Sequence, residues 1–418
     1  MAIEKTMTEF FAGVGGFRIG LEKADPSWKT MFFSQYEPGR KNQFAYDCYV
    51  RNFGLEGIEH PELTNVDIND VDKSVLPATN LLTGGFPCQS FSVARPLYLS
   101  TGMDDPAKGQ LWYQLLDTLN AKHIPFGLFE NVDRLLSSPH AQPGRDFGMI
   151  LASLAASGYS CEWRVINAAD YGFQQKRRRT YIFAYRDGTR FQKSLSALSP
   201  LDVLSTDGFF ASTFPVEPIG ADSMGHVDID FHDIESVRRD FGYRFGNAGY
   251  MTGGGHVYEA KAVPVRETPV TLGSLLESDV DEKFYLTDSQ IEQFRKLKGA
   301  MRVPRVSKTG HEYVYSQGAC PFPDNLDAPA RTVITSEGGV SRTTHTVRDP
   351  ETGRIRFLTP VEGERIQGFP DGHTDGMTDR QRMFCVGNAL VVPVITRIGR
   401  KIGEIFDCES SESAAYDS

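Results

Sequence analysis

The sequence predicts a mostly parallel, doubly wound α/β sheet with a second, smaller and irregular domain. Three observations support this. Strand-like and helix-like apolar patterns alternate up to Arg186, and glycines cluster where the first strand meets the first helix. Helical periodicity then fades from Asp187 to Ala328 and returns after Arg331. The expected division is therefore 1–186 for the first part of the α/β domain and 187–328 for the second domain. Residues 329–408 return to the first domain, and 409–418 form a Ser-rich, acidic, disordered tail.

Each element has a local reason. Thr8-Glu9-Phe10-Phe11 is a short strand that runs into Gly13, Gly15 and Gly16, and a helix follows through Phe17 and Leu21. Leu111, Leu115, Leu116 and Leu119 have helical spacing, and Gly127-Leu128-Phe129 is the next strand. Phe147, Ile150, Leu151 and Leu154 mark another helix, with Gly158 suited to its C′ position. Two strand-like runs, Cys161 to Ile166 and Thr180 to Tyr185, flank Tyr171-Gly172. Gly253-Gly254-Gly255 reads as a flexible point. Thr359-Pro360-Val361-Glu362 is a capping box with proline at N1, and Gly368 can end its helix. Thr378 to Gln381 repeats the capping pattern. Val391, Ile395, Ile398, Ile402 and Ile405 then stripe a last amphipathic helix.

At 418 residues the chain exceeds what one core usually absorbs, so two domains are expected. The N-terminus lacks the apolar segment of a signal peptide, and no apolar run approaches the length of a membrane span. Six scattered cysteines without a CxxC or a Cys/His pair argue for a reducing, cytoplasmic setting and against disulfides or a metal site. A net charge of −10 weakens a nucleic-acid reading, but local clustering of cations matters more than the total. From Gln293 to His311 there is no acid, while Arg295, Lys296, Lys298, Arg302, Arg305 and Lys308 all occur. Such a run reads equally well as a solvated face.

The chemistry-bearing residues sit at strand ends. Gly84-Gly85-Phe86-Pro87-Cys88-Gln89-Ser90 follows the apolar pair Leu81-Leu82, so Cys88 is presented on a tight turn where open α/β sheets keep their crevices. Taken alone, Cys88 reads more readily as a buried structural thiol. Phe11-Ala12-Gly13-Val14-Gly15-Gly16 lets a ligand approach the backbone, but Arg18 breaks the G-x-G-x-x-G spacing of a pyrophosphate cradle. Glu37 follows Met31-Phe32-Phe33 and suits ribose hydroxyls. Asp67, beside Ile68, suits an adenine amine. Glu130, after an apolar strand, is expected to be buried, protonated and able to donate. In Gln175 to Arg179, strand alternation puts Arg177 and Arg179 on one face and Arg178 on the other, where two guanidinium groups can hold an anion. Each of these has a structural alternative: a simple turn, a surface carboxylate or a charged edge strand.

In order along the chain, Phe11 to Gly16, Pro87-Cys88-Gln89, Glu130-Asn131-Val132, Gln175 to Arg179 and Gly387-Asn388-Ala389-Leu390 resemble the ordered motifs of DNA (cytosine-5) methyltransferases. The match covers about residues 6–190 and 328–405. The segment between corresponds only by position to the family's variable target recognition domain. The resemblance implies a Rossmann-like sheet and S-adenosyl-L-methionine (AdoMet) as methyl donor, with S-adenosyl-L-homocysteine as product. It implies that Cys88 attacks C6 of a flipped cytosine, that Glu130 holds N3 and the exocyclic amine, and that Arg177 and Arg179 supply positive charge. Phe11, Gly13, Gly15, Gly16, Glu37, Asp67, Ile68, Pro87, Leu111, Asn388 and Ala389 would line the AdoMet pocket. Gln89, Ser90 and the basic stretch would meet double-stranded DNA. A monomer acting on the same site as a cognate restriction endonuclease follows, without direct contact between them.

Other readings fit less well. A nicotinamide-dependent dehydrogenase wants the missing glycine spacing. Amino methyltransferases want a proline pair and an aromatic where Phe86-Pro87-Cys88-Gln89 stands. A non-enzymatic DNA-binding protein is expected to have lost Cys88 or Glu130. A tRNA cytosine-5 methyltransferase shares nearly all the motifs, and the long variable region and basic stretch favour duplex DNA over it.

Overall fold

The computed structural model describes residues 2–56, 63–87, 111–306 and 310–409. The strands are β1 Thr6–Phe10, β2 Lys29–Ser34, β3 Leu63–Thr64, β4 Leu81–Gly84, β5 Phe126–Val132, β6 Tyr159–Asn167 and β7 Arg178–Arg186. They continue with β8 Met224–Asp228, β9 Ala248–Met251, β10 His256–Ala260, β11 Met301–Val306, β12 Glu312–Gln317, β13 Thr346–Arg348 and β14 Ile355–Phe357. The helices are α1 Gly16–Ala24, α2 Phe44–Asn52, α3 Leu111–Lys122, α4 Arg145–Ala156, α5 Arg190–Ser196 and α6 Pro200–Asp202. They continue with α7 Phe209–Thr213, α8 Ile234–Asp240, α9 Asp288–Lys298, α10 Pro360–Gln367, α11 Asp379–Asn388 and α12 Val392–Cys408.

The chain forms two compact units. The first comprises 1–171, 178–267 and 392–418, and the second comprises 172–177 and 268–391. This differs from the expected division. Residues 187–267 belong with the sheet because β8, β9 and β10 extend it, and 268–391 form one body with no break at Ala328.

In the first unit the described residues form a ten-stranded sheet in the order β3-β2-β1-β4-β5-β7-β6-β9-β10-β8. Neighbours from β3 to β5 pair in parallel. From β5 onward every pairing is antiparallel. Only half of the sheet is therefore parallel. The turn between β6 and β7 carries only a single short 3₁₀ turn, Ala168–Asp170, too little for a parallel crossover. Phe10, Leu82, Leu115, Phe129, Phe147 and Trp163 share one buried cluster. Helices α1 and α12 approach closely because each has a glycine at the crossing. A Cβ on Gly20 would lie 2.5 Å from Ile395 Cβ, and one on Gly399 would lie 2.9 Å from Leu21 Cδ2. The glycine run expected to be flexible is the turn between β9 and β10, closed by a bond from the Gly255 N–H to Thr252 O at 2.9 Å. Glu409, expected in a disordered tail, is buried, and its carboxylate accepts the N–H groups of Arg190 and Phe191 at the start of α5. The remaining tail lies outside the described residues.

The second unit packs Leu272, Val333, Val347, Leu358, Ile366 and Val386 in one core. Both expected capping boxes form, Thr359 with Glu362 and Thr378 with Gln381, and Gly368 ends α10 at φ 83°. Glu362 also receives the buried Arg356 guanidinium through two bonds of 2.8 and 2.9 Å. In this geometry a buried pair is hydrogen-bonded throughout. Strands β11 and β12 pair only with each other among the described residues. The helical stretch Asp379–Cys408 has the length and apolarity of a membrane span, against expectation. It breaks between α11 and α12, and 61% of its most apolar 18-residue window is buried in the protein.

Candidate active site

In the first unit, β1 lies between β2 and β4, with Phe10 in register with both Ser34 and Gly84. The chain leaves all three strands at the same edge, where the strand order reverses. Such a switch point opens a crevice at the carboxyl ends of a parallel sheet. The glycine segment lies there. Phe11, Gly13 and Gly15 have φ of 55°, 57° and 87°. Left-handed backbone at a non-glycine such as Phe11 is costly and persists where surrounding structure enforces it. Two bonds do so here: Ala12 N–H donates to Ser34 O at 3.1 Å, and Gly13 N–H donates to Gln35 Oε1 at 2.7 Å. At Gly15 a side chain is also excluded by contact, since a Cβ would stand 2.6 Å from the Phe53 ring. At Gly13 a Cβ would meet nothing within 4 Å, so the loop is open on that side.

Glu37 is pinned beside this opening. Its N–H donates to Gln43 Oε1 at 2.6 Å, and Gln43 Nε2 returns a bond to Glu37 O at 3.0 Å. Its carboxylate takes the Ala45 N–H at 3.3 Å and lies 3.7 Å from Arg40 Nε. Asp67 caps a single 3₁₀ turn through one oxygen, Oδ1, which accepts Asn69 N–H at 3.0 Å. Ile68 and Leu111 are buried and Pro87 is half-buried. Open backbone at Gly13 and a fixed carboxylate at Glu37, with Ile68 and Leu111 in the buried apolar cluster that also holds Phe10, suit an adenosyl cofactor without phosphates. Asn388 and Ala389 end α11 in the second unit, exposed and half-buried respectively.

Sequence reasoning missed the support beneath the glycine loop. Glu9 on β1 is fully buried and accepts the Tyr49 hydroxyl at 2.9 Å. Burial pushes its carboxyl up to about 8, against the pull of the Tyr49 hydroxyl and the nearby Arg18 charge. Tyr49 stacks on Phe33 at 3.8 Å, and Arg18 lies 3.9 Å over Phe53. The only sequence signal was an acid inside an apolar strand.

Cys88, Gln89 and Ser90 lie outside the described residues. The residues before Cys88 are described, and Gly85 among them lies beside Glu130. A Cβ on Gly85 would lie 3.5 Å from Glu130 Oε2. Asn131, fully buried, donates from Nδ2 to Phe86 O at 3.2 Å and so fastens the segment two residues before Cys88. This is a second role missed from sequence, where Asn131 was only part of a motif. Glu130 is not the isolated buried acid expected. Its Oε1 lies 2.8 Å from Arg179 Nε, and both side chains keep partial exposure, 15% and 17%. Register explains the pair: Val132, two residues along β5 on the same face, lies opposite Arg179 on β7.

The expectation for Arg177 is corrected. Strand β7 starts at Arg178, and Arg177 lies before it in the second unit. Its buried guanidinium donates to Val333 O at 3.0 Å and to Gly387 O at 3.2 Å. Gln175, also buried, bonds Ile366 O and the Gln367 side chain. Gln175 and Arg177 thus build the backbone around the Gly387 motif, and Arg179 alone of the motif's arginines meets Glu130. Gly387 itself has no room for a side chain, since a Cβ would stand 2.4 Å from the Ile334 carbonyl carbon.

The basic stretch also divides. Lys298 is buried, with Nζ 3.2 Å from Thr346 Oγ1 and 3.5 Å from Asp324 Oδ2, so it is not a phosphate contact. Burial lowers its ammonium pKa, partly offset by Asp324. Arg295, Lys296, Arg302 and Arg305 are exposed; Arg295 pairs with Glu292. Lys308 lies outside the described residues.

The family model for C-5 cytosine-specific DNA methylases matches residues 5–404. Type II methyltransferase M.Sau3AI of Staphylococcus aureus is 42% identical over 414 residues, 97% of each chain. Type II methyltransferase M.NgoBI of Neisseria gonorrhoeae is 27% identical over 98% of this chain and 96% of its own. Among solved structures, Entamoeba histolytica methyltransferase EhMeth matches with TM-score 0.57 at 17% identity, covering 97% of this chain and 98% of that one. Spodoptera frugiperda DNMT2 matches at 0.55 and 15%, over 96% and 99%. These two show a shared fold. The chain belongs to the C-5 cytosine-specific DNA methylase family and is an AdoMet-dependent DNA (cytosine-5) methyltransferase.

Proposed function

We propose that Cys88 is the nucleophile, that Glu130 and Arg179 hold the target base, and that the edge at Phe11, Gly13, Glu37 and Ile68 holds AdoMet. The observation that carries this is the Glu130–Arg179 pair, 2.8 Å apart, beside the Gly85-Phe86-Pro87 segment that leads to Cys88.

The Cys88 thiolate adds to C6 of a cytosine flipped from the duplex. Glu130, carrying a proton when the base is bound, donates it to N3 and accepts from the exocyclic amine, so the electron density released by addition collects at C5. AdoMet, when bound, supplies the electrophilic methyl group. A water molecule then takes the C5 proton, and the C5–H electrons re-form the C5–C6 double bond and expel the thiolate, leaving 5-methylcytosine. Splitting the reaction this way replaces one difficult substitution by easier steps. Arg179 keeps Glu130 oriented before the base arrives and offers positive charge once it does. Arg177 acts through the backbone of Gly387 and is a positioning residue. Phe11, Gly15, Gly16, Asp67, Pro87 and Leu111 complete the cofactor edge of the first unit, and Asn388 and Ala389 belong to the same proposed set.

Residues 187–328 are proposed to choose the DNA sequence. Gln89, Ser90 and the exposed cations Arg295, Lys296, Arg302 and Arg305 are proposed to meet double-stranded DNA. The type II relatives support a restriction–modification setting. There the enzyme works as a cytoplasmic monomer, nucleoid-associated when on DNA, on the site of a cognate endonuclease. The tRNA alternative is not favoured, since the matched family is that of C-5 cytosine-specific DNA methylases and the relatives are type II methyltransferases. Bisulfite sequencing of DNA from a host expressing the chain tests this reading. One methylated sequence is expected with the wild type, and none with Cys88→Ala. Methylation surviving in Cys88→Ala contradicts it.

A further inference from the structure

The ribbon β11–β12 stands apart from the rest of the second unit. Its register runs from Met301 opposite Gln317 to Val306 opposite Glu312. Most of its residues are exposed on both faces, including Val306 at 65%, Val314 at 55% and Tyr313 at 42%. A two-stranded hairpin with no packed face is marginal in water. This one is held at its root. The Arg342 guanidinium bonds the carbonyls of Leu297 and Gly299, just before β11, and of Gly318, just after β12. Cys320 N–H donates to Lys298 O at 2.8 Å, and Lys298 is buried over the rings of Phe294 and Phe322. A rigid root thus carries an apolar blade into solvent, and an exposed apolar patch of this kind marks an interaction site.

The ribbon's charge and dimensions indicate what covers it. Strand β11 lies within the acid-free run and carries Arg302 and Arg305. The major groove of B-DNA admits a two-stranded β-ribbon. Alternation puts Arg305, opposite Tyr313, and Val303, opposite Tyr315, on one face, with Arg302, opposite Ser316, on the other. The Arg305 guanidinium lies 4.2 Å over the Tyr315 ring. Stacking holds its planar fork in place, which suits a bidentate contact better than a free side chain does. Arg302 has no such restraint among the described residues.

We propose that β11–β12 enters the major groove of the substrate duplex, where Arg305 reads a base edge and Arg302 meets a phosphate. This rests on the proposed role of residues 187–328 in sequence choice. Because arginine pairs bidentately with guanine O6 and N7, the methylated sequence contains a second G·C pair, besides that of the target cytosine, which Arg305 selects.

The test is methylation of a random-sequence duplex library by the full chain, with AdoMet affinity and thermal melting measured in parallel. Arg305→Ala should lose about tenfold to a hundredfold discrimination at one G·C position, the scale of a bidentate base contact, and Arg305→Lys should lose less, because lysine also donates to guanine. AdoMet affinity should stay within about twofold of wild type, because no ribbon residue belongs to the proposed cofactor edge. Arg302→Ala should keep the sequence preference and flatten the dependence of log K on log salt by up to ~0.9. Unchanged discrimination in folded Arg305→Ala overturns the ribbon proposal while wild-type selectivity leaves its basis intact. A wild-type chain that methylates the library without preference overturns both. A concentration-dependent dimer that Val306→Asp abolishes in sedimentation would give the blade to a second copy instead, and also overturns it.

Discussion

The strand-end site of the first unit and the basic stretch of the second differ in how their side chains are held. At the strand ends nearly every group is fixed by a named partner: Gly13 by Gln35, Glu37 by Gln43, Glu130 by Arg179, and the Phe86 carbonyl by Asn131. Among the described residues of the basic stretch, Arg295, Lys296, Arg302 and Arg305 are exposed, and only Lys298 is locked inside. Chemistry needs reacting groups held within a fraction of an ångström, so it is built on strands. Recognition of a duplex uses side chains that reach outward. Phosphate contacts fix register, and base contacts specify sequence.

Several substitutions sharpen this contrast. Lys298→Ala should cost the most stability, about 3 kcal/mol, because a buried pair loses one partner. The low end of that range applies, since Arg331 still meets Asp324. Chemical denaturation checks it; a cost near zero would place Lys298 back among the surface cations. Glu130→Gln should slow single-turnover methyl transfer by about a hundredfold or more, the scale of a positioned acid or base. A loss of only a few-fold would make Glu130 structural. Glu37→Ala should weaken AdoMet binding by about 1–3 kcal/mol, the scale of losing a hydrogen-bond partner, as read by calorimetry. Unchanged affinity would move the ribose contact to another residue. The smallest effect is expected from replacing Arg295 and Lys296 by alanine. Binding to all DNA should weaken about equally, and the salt slope should fall by up to ~0.9 for each phosphate no longer neutralised. An unaltered slope would make that end of α9 a solvated surface.

The parts of this molecule that could be read from sequence are local ones. The Phe11 to Gly16 segment announces its turn because left-handed backbone demands glycine within a few residues. The capping boxes at Thr359 and Thr378 are likewise complete within four residues. Where the reading failed, the deciding partner was distant. Alternation from Arg177 to Arg179 assumed one strand, but Lys176 N–H bonds Ala330 O, which holds that segment in the second unit until Arg178. Lys298 looked like its basic neighbours because Asp324 and Thr346, which bury it, lie far along the chain. Strands β8, β9 and β10 lacked a helical alternation that would have tied them to the sheet they extend. Asn131 and Glu9 were visible only as a motif letter and an acid in an apolar run. Their roles need the Phe86 carbonyl and the Tyr49 hydroxyl, 45 and 40 residues away.

The proposed mechanism has Cys88, two residues beyond the Phe86 carbonyl that Asn131 holds, attack the base at C6. Duplex DNA carrying 5-fluorocytosine at the methylated position tests it most directly, because fluorine at C5 blocks the final elimination and should leave the enzyme covalently attached. Peptide mapping of the trapped complex by mass spectrometry should place the methylated base on Cys88, with no complex formed by Cys88→Ala. A stable adduct on any other residue, or turnover without trapping, would contradict the account.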